Sequence, residues 1–558
     1  MSMDKTKYWL LAILVAAGLF RAIPMLTPDL VTDDSLYSFR ALGWYDYLGG
    51  DQASPISWFG EIPWWANLSF HDAPPVGFAV QKIFFTLFGD TVFAARVPFV
   101  LSGVVTVFLL YALLALLFDR RTGLLGAAIL AVLPLHVWGS VIGYLEGIEV
   151  MFIVASAYFF VRYLKTEQLV GLLWCAVFAG LAIMTKYTAL FLLPLYVVHL
   201  LIFKRNTFKT AHPWFAAAAL VVTLFPVIMY NYFMYQTRGH FDAALSSIVG
   251  MQPEDFSAIA ARTDRNFIEG FLGVARALTN SLSLLTLLGL TLGVVIVLWV
   301  LIRRRPHAFE SRVLIGEAFI FTFVILAAGG LAENRFLIII APWVAALVAV
   351  GIAYLFEKNV WLGRFFYQVS FTLVGCVAAI SIVAHFTPFA QPYVVPKFLP
   401  ALSSSAGFNQ LDSYLRREIL PGSRILERPK SIDAMSKRVS DKALTNKTVF
   451  FFDDSINWFA SKWYVERYST FYGIPLASLF TTVQQNGTDV INRLRGDGIE
   501  TFYFVLGRSD AVVDPEKQGT DYRRLSLDLA AALESQGFFP TEIKNRHGEV
   551  AFAIYKFQ

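Results

Sequence analysis

Two neighbouring carboxylates, Asp33 and Asp34, open the run Thr32-Asp33-Asp34-Ser35-Leu36-Tyr37, just past a first apolar stretch. Adjacent carboxylates raise each other's pKa unless a cation or a donor pairs them. A carboxylate held beside an apolar slab is therefore a candidate general base. The same residues would serve equally as the cap of a helix that begins near Ser35. A second acidic turn, Tyr144-Leu145-Glu146-Gly147-Ile148-Glu149, joins two apolar runs. Glu149 would begin to enter the apolar layer, where an acid marks function by default; alternatively both glutamates complement a helix N-terminus. His71-Asp72-Ala73-Pro74-Pro75 opens a short apolar helix. The prolines suit a first helical turn, and a protonated His71 could hold a phosphate or simply face solvent. Basic residues complete the set: Lys186 in Met184-Thr185-Lys186-Tyr187, Arg335 in Glu333-Asn334-Arg335-Phe336, and Arg238, His240, Arg262, Arg265 and Arg276 around one long loop. An anionic ligand would explain them, with internal pairing to Glu333 or simple solvation as the plainer alternatives. Together these groups could grip a phosphate and deprotonate a hydroxyl.

The elements that must position them are membrane helices. The chain has 558 residues, 56% hydrophobic and only 16% charged, with mean hydropathy +0.57. A soluble chain is nearer a quarter charged. A cytosolic enzyme, a disordered chain and a disulfide scaffold are excluded, and a protein of several spans remains. Cys175 and Cys376 both lie inside apolar runs, as small core hydrophobes rather than a disulfide or a metal site. Apolar segments near 8–26, 92–118, 124–143, 148–164, 170–185, 188–203, 214–235, 281–302, 313–331, 336–355 and 366–386 predict about eleven transmembrane helices. The expected fold is thus a polytopic α-helical membrane domain, 1–388, followed by a water-facing α/β domain, 390–558. The linker is Thr387-Pro388-Phe389-Ala390-Gln391-Pro392. Strands are expected at 448–452, 501–506 and 550–557, and helices at 411–419, 490–496 and 525–536.

Charge decides the topology. Positive residues collect in short cytoplasmic loops. The clusters Arg120/Arg121, Arg162/Lys165, Lys204/Arg205/Lys209, Arg303–Arg305/Arg312 and Lys358/Arg364 all fall on the side of the N-terminus if 74–89 lies in the interface. All would fall on the opposite side if 74–89 crossed. The interfacial reading puts the N-terminus in the cytoplasm. Loops 27–91, 144–147, 186–187, 236–280 and 332–335 then share the extracytoplasmic face with the C-terminal domain. The expected location is the inner or plasma membrane.

Five segments, in order, resemble the GT-C family of polyprenyl-phosphate-sugar-dependent glycosyltransferases, in the branch of protein O-mannosyltransferases and the lipid A aminoarabinose transferase. Asp33-Asp34-Ser35-Leu36-Tyr37 is similar to its Asp-Glu-x-x-Tyr. Pro74-Pro75 with Phe84-Phe85-Thr86-Leu87-Phe88-Gly89 is similar to its Pro-Pro-Leu helix ending in Leu-Phe-Gly. Phe93-Ala94-Ala95-Arg96-Val97-Pro98 resembles Ala-Ala-Arg-Leu-Pro, and Leu181-Ala182-Ile183-Met184-Thr185-Lys186 resembles Gly-Leu-Ala-x-x-Thr-Lys. Glu333-Asn334-Arg335-Phe336 resembles an Arg-Tyr before a late span. The resemblance covers roughly the first 390 residues. It implies Asp33 as base beside Asp34, with Glu146 as the second-loop acid. His71, Lys186, Arg262, Arg265 and Arg335 would hold the donor phosphate, and Tyr37, Glu149 and Glu333 would contact acceptor or sugar. It departs from the family at Ala73, where Lys or His is usual, at Glu146, usually Asp, and at Asp34, usually Glu. The implied reaction is inverting transfer from a polyprenyl-phosphate-linked sugar to a lipid, glycan or protein acceptor. It requires no cofactor, with room for a divalent metal, and involves membrane lipids but no nucleic acid. The rival reading is a transporter or lipid flippase. Such proteins place charges near the midplane and use internal repeats; here the acids sit at span ends and no repeat is visible.

Overall fold

The computed structural model describes residues 3–45, 64–68, 73–251, 253, 266–303, 309–357, 405–419, 432–487 and 490–558. His71, Arg262, Arg265, the span expected at 366–386 and the linker at 387–392 lie outside the described residues. The chain divides into two compact units, Met1–Leu26 with Asp51–Ser403, and Thr27–Gly50 with Ser404–Gln558. The sequence division placed all of 27–91 with the membrane domain. The observed division gives 27–50, and with it Asp33 and Asp34, to the C-terminal unit.

The first unit is helical: α1 (Met3–Ala22), α3 (Val76–Phe88), α4 (Val92–Leu117), α5 (Arg120–Val132), α6 (Pro134–Ile142), α7 (Glu146–Thr166), α8 (Leu169–Ile183), α9 (Leu192–Phe203), α10 (His212–Arg238), α11 (Ala243–Ile248), α12 (Phe267–Ser281), α13 (Leu284–Arg303), α14 (Phe309–Ala328) and α15 (Ala341–Glu357). Helix α2 (Asp33–Gly43) belongs to the second unit. Among the described residues seven helical segments are long and apolar enough to cross a bilayer.

The segment expected as one span at 124–143 is two helices bent by 57°. Pro134 lacks the N–H that would close the helical bond to Leu130 O, and Leu133 is extended (φ −63°, ψ 114°). The buried Arg21 of α1 offsets the loss. It donates to Ala131 O at 3.1 Å, to Leu130 O at 3.5 Å and onto His136 Nδ1 at 2.7 Å. The break is therefore satisfied inside protein, as non-helical backbone at membrane depth requires. Small residues let other helices approach closely. A methyl at Gly180 in α8 would lie 2.6 Å from Thr223 of α10, and one at Gly293 in α13 would lie 2.3 Å from Leu347 O of α15.

Helix α3 has only 13 residues, about 20 Å of rise, too short for a hydrocarbon core of about 30 Å. Arg96, in the first turns of α4, donates to Met25 O just past α1 at 3.1 Å. The end of α1 and the start of α4 are thus neighbours, and the chain between them returns to the end of the bundle it left.

The second unit holds a five-stranded sheet of β1 (Thr448–Phe452), β2 (Leu476–Ser478), β3 (Thr501–Gly507), β4 (Thr541–Lys544) and β5 (Val550–Phe557) in the order β2-β1-β3-β5-β4. β1 runs parallel to β2 and β3, while β5 runs antiparallel to β3 and β4. Phe451, Phe502, Phe504, Leu506, Tyr555 and Phe557 fill its core. Helices α16 (Phe408–Tyr414), α17 (Ile432–Asn446), α18 (Leu479–Asn486), α19 (Val490–Gly496) and α20 (Asp521–Ser535) complete it with shorter turns. The three expected strands are present. The two unforeseen ones are a three-residue β2 and the edge strand β4, whose Thr-Glu-Ile-Lys sequence carries the charges that protect an edge.

Candidate active site

The loops of the first unit sort to two ends of the bundle. At one end Ser311 donates to Leu117 O at 3.2 Å, Lys204 pairs with Glu167 at 3.0 Å and Arg312 lies over Phe118 and Tyr354. At the other end Val76 N, at the head of α3, donates to Met184 O at 3.0 Å. A methyl on Gly77 would lie 2.6 Å from Leu145 and 3.4 Å from Thr185. Glycine lets the Pro74-Pro75 helix head wedge between the acidic turn and the lysine turn. Two of the five motifs therefore meet the acidic turn at one place.

There Lys186 forms an ion pair with Glu146 Oε1, the lysine side chain 12% exposed and the glutamate fully buried. Lys186 Nζ also lies 4.5 Å from the centre of the Phe336 ring, and Arg335 Cζ lies 4.7 Å from the same centre. Arg335 pairs with Glu333 at 3.0 Å. One ring thus carries two cations, each with its own carboxylate. Burial pushes the Arg335 guanidinium down to about 10, so it stays charged near neutral pH. One turn along α7 from Glu146, Glu149 Oε1 accepts from Thr188 Oγ1 at 2.5 Å. Among the described residues neither Glu146 Oε2 nor Glu149 Oε2 has a hydrogen-bond partner. Two buried acceptor atoms are left for a ligand hydroxyl.

The lysine turn is braced by a group the sequence reading missed. Tyr187 donates to Asp242 Oδ2 at 2.7 Å, as does Asn231 Nδ2 at 2.7 Å. The backbone N of Leu245 donates to Asp242 Oδ1 at 2.8 Å. Burial pushes the Asp242 carboxyl up to about 6 against the pull of these donors. Asp242 follows a span and a helix-ending glycine, Gly239 (φ +77°), and a single acid there gives no sequence signal. Among the described residues no three of His, Cys, Asp and Glu gather as metal ligands.

In the second unit, Asp34 does the capping work. Its Oδ1 accepts from Thr32 N at 3.0 Å, Thr32 Oγ1 at 2.9 Å and Ser35 N at 2.9 Å. It is buried, as are Ser35 to Gly43 behind it, Tyr37 included. Asp33 is half-buried at the head of α2. Of the pair, Asp33 is therefore the reachable carboxylate.

Residues 72–230 match the family described as dolichyl-phosphate-mannose-protein mannosyltransferase. That span includes the α3, α4, Glu146 and Lys186 motifs. The chain is similar along its whole length to the crystal structure of ArnT from Cupriavidus metallidurans bound to undecaprenyl phosphate, with TM-score 0.52, 13% identity, and coverage of 100% of this chain and 98% of that one. It is likewise similar to the oligosaccharyltransferase AglB from Archaeoglobus fulgidus, solved with an inhibitory peptide and a dolichol-phosphate (TM-score 0.50, 14% identity, 99% of this chain and 75% of that one). The fold is GT-C. The resemblance read from the sequence is borne out. A curated relative, the putative mannosyltransferase YycA of Bacillus subtilis, is 31% identical over 139 residues, 25% of this chain. The chain spans about a fifth of that relative's length, 20%. These GT-C matches lend the transporter reading no support.

Proposed function

We propose that this GT-C protein is an integral-membrane inverting glycosyltransferase that uses a polyprenyl-phosphate-linked sugar. The observation that carries the reading is the pair of cations, Lys186 and Arg335, set on one aromatic ring where three motifs converge. Each cation is held by a carboxylate and an aromatic face. A phosphate leaving group gains negative charge as its bond to the sugar breaks, and prearranged cations offset that charge. The similar solved structures hold undecaprenyl phosphate and a dolichol-phosphate, which supports a polyprenyl tail between the helices.

In the proposed reaction Asp33 takes the proton of an acceptor hydroxyl. The acceptor oxygen forms a bond to the anomeric carbon from the face opposite the phosphate. The bond from that carbon to the phosphate oxygen breaks, polyprenyl phosphate leaves with the electron pair, and configuration inverts. Glu146 Oε2 and Glu149 Oε2 accept from sugar hydroxyls. His71, Arg262 and Arg265 join the phosphate grip, and Tyr37 and Glu333 contact acceptor or sugar. The reading places this chemistry on the extracytoplasmic face, with the N-terminus in the cytoplasm, and takes no step through a metal. The test is incubation of purified full-length protein with a panel of polyprenyl-phosphate sugars and candidate acceptors. Sugar-specific release of polyprenyl phosphate is expected. Release from no donor in the panel would count against the reading.

A further inference from the structure

We infer that Asp29 and Asn409 form a latch through which the C-terminal module positions the helix that carries Asp33. The inference rests on Asp33 being the base. Asp29 Oδ2 accepts from the backbone N of Ala406 at 2.7 Å, Gly407 at 3.1 Å and Phe408 at 3.3 Å, and Oδ1 accepts from Asn409 N at 2.9 Å. These are amides at the head of α16, which a helix leaves without internal partners and which favour an anion. Four donors converge because Gly407 is left-handed, φ +117°, a conformation in which successive amides form a concave anion seat. A side chain at Gly407 would in addition lie 2.5 Å from Ala551.

Asn409 holds the residues on either side. Its Nδ2 donates to Pro28 O at 3.4 Å. Its Oδ1 accepts from Tyr464 OH at 2.7 Å, and that hydroxyl oxygen accepts from Leu30 N at 2.9 Å. Pro28, Asp29 and Leu30 are thereby fixed as one unit by residues hundreds of positions away. Ring packing makes the anchor rigid. Phe408 stacks on Tyr464 with centroids 5.2 Å apart and meets Phe552 of β5 at 5.1 Å. Asp412, on the same helix, takes Arg416 at 3.0 Å and Tyr468 OH at 2.5 Å, and pairs with the buried Arg467.

A second anchor lies beyond the candidate base. Ser35 Oγ donates to Phe459 O, and Phe39 packs on Phe471 with centroids 5.3 Å apart. Asp33 sits between the two anchors. A capping carboxylate within one helix would only steady that helix end. Asp29 and the capped amides are 377 to 380 residues apart, so losing the carboxylate frees one side of the segment that presents Asp33. Asp29 is buried and acts through α2, as a positioning residue.

The test compares Asp29→Ala, Tyr464→Phe and wild type as full-length protein, with polyprenyl-phosphate mannose as donor. It reads hydrogen exchange together with kcat and KM. Exchange across 31–39 is expected to quicken in both variants, with Thr501–Gly507 and Val550–Phe557 unchanged, which shows the module still folded. Turnover is expected to fall roughly 10- to 100-fold in Asp29→Ala, the scale of a small misplacement of a reacting group. KM for the donor is expected to stay within about two-fold, since donor binding is not at stake. Unchanged exchange at 31–39, or quickened exchange with wild-type kcat, overturns the latch. If Asp29→Ala also loosens the strands, Tyr464→Phe, which removes one hydroxyl, decides by the same readouts. Wild-type turnover in Asp33→Asn would end the base assignment, while the exchange data would still judge the latch.

Discussion

The cation cluster in the membrane unit and the acidic helix in the other unit are positioned by opposite means. Lys186 and Glu146 sit at the ends of adjoining apolar helices, and the packing of those helices brings them together. Gly77 clears room for the head of α3, and Asp242 and the Phe336 ring then close on the lysine turn. Helix α2 is short and carries Asp33 on a segment whose Asp29 is tied by hydrogen bonds to amides 377 to 380 residues later. The Lys186–Glu146 pair is therefore set mainly by the packing of adjoining helices, whereas α2 is held by two sets of long-range polar and ring contacts.

The largest expected effect separates the two carboxylates of α2. Asp33→Asn should lower turnover about 10²- to 10⁴-fold, as loss of a general base does, in a protein that is still folded. Asp34→Ala should act mainly on stability, by about 1–3 kcal/mol, because it removes the acceptor of Thr32 N, Thr32 Oγ1 and Ser35 N. Thermal melts and release of polyprenyl phosphate measured on both variants check this. A variant pair that behaved alike would erase the distinction drawn between them.

On the membrane side, Lys186→Met should slow turnover roughly 10²- to 10³-fold through loss of charge stabilisation. It also strands the buried Glu146, at a cost of about 3–5 kcal/mol. Lys186→Met combined with Glu146→Gln should recover stability and leave activity low. Recovery of activity along with stability would show that Lys186 only neutralises Glu146.

Asp242 supplies a pH test of the brace behind the lysine turn. Burial raises its carboxyl from the ordinary 3.8 to about 6, so the folded protein holds that proton more tightly than the unfolded chain. Its stabilising contribution, about 3 kcal/mol, is complete below the unfolded value and is lost as pH rises through about 6. Melting temperature should therefore decline from pH 4 to pH 6.5 by an increment that Asp242→Asn, neutral throughout, does not show. The smallest effect is expected from Phe336→Leu. Removing the ring shared by Lys186 and Arg335 takes away cation–π contacts worth about 0.5–2 kcal/mol, seen as a several-fold rise in donor KM.

The same contrast explains how much was legible in the sequence. Seven of the expected spans and the three longer strands follow from hydropathy and β-branched runs, and the structure carries those at nearly the same residues. Lys186 and Arg335 stood out because they break the charge bias of loops, and the structure sets them on one ring. The break at Pro134 was written in the sequence but masked by the apolar window around it. Asp29 and Asn409 gave no signal at all: an Asp after a Pro and an Asn after a Phe are ordinary, and only folding shows that each serves the other. The assignment of 27–50 to the C-terminal unit was hidden for the same reason, since hydropathy reads neighbours in sequence and this contact is between strangers in sequence.

The most direct measurement takes donor affinity and turnover together in Asp33→Asn and in the double variant Lys186→Met, Glu146→Gln, using polyprenyl-phosphate mannose. The expected result is a split. Asp33→Asn should bind the donor as wild type does and scarcely turn it over, and the double variant should bind it weakly. Donor binding lost in Asp33→Asn and kept in the double variant, or wild-type turnover in Asp33→Asn, would contradict the assignment of grip and base to these two regions.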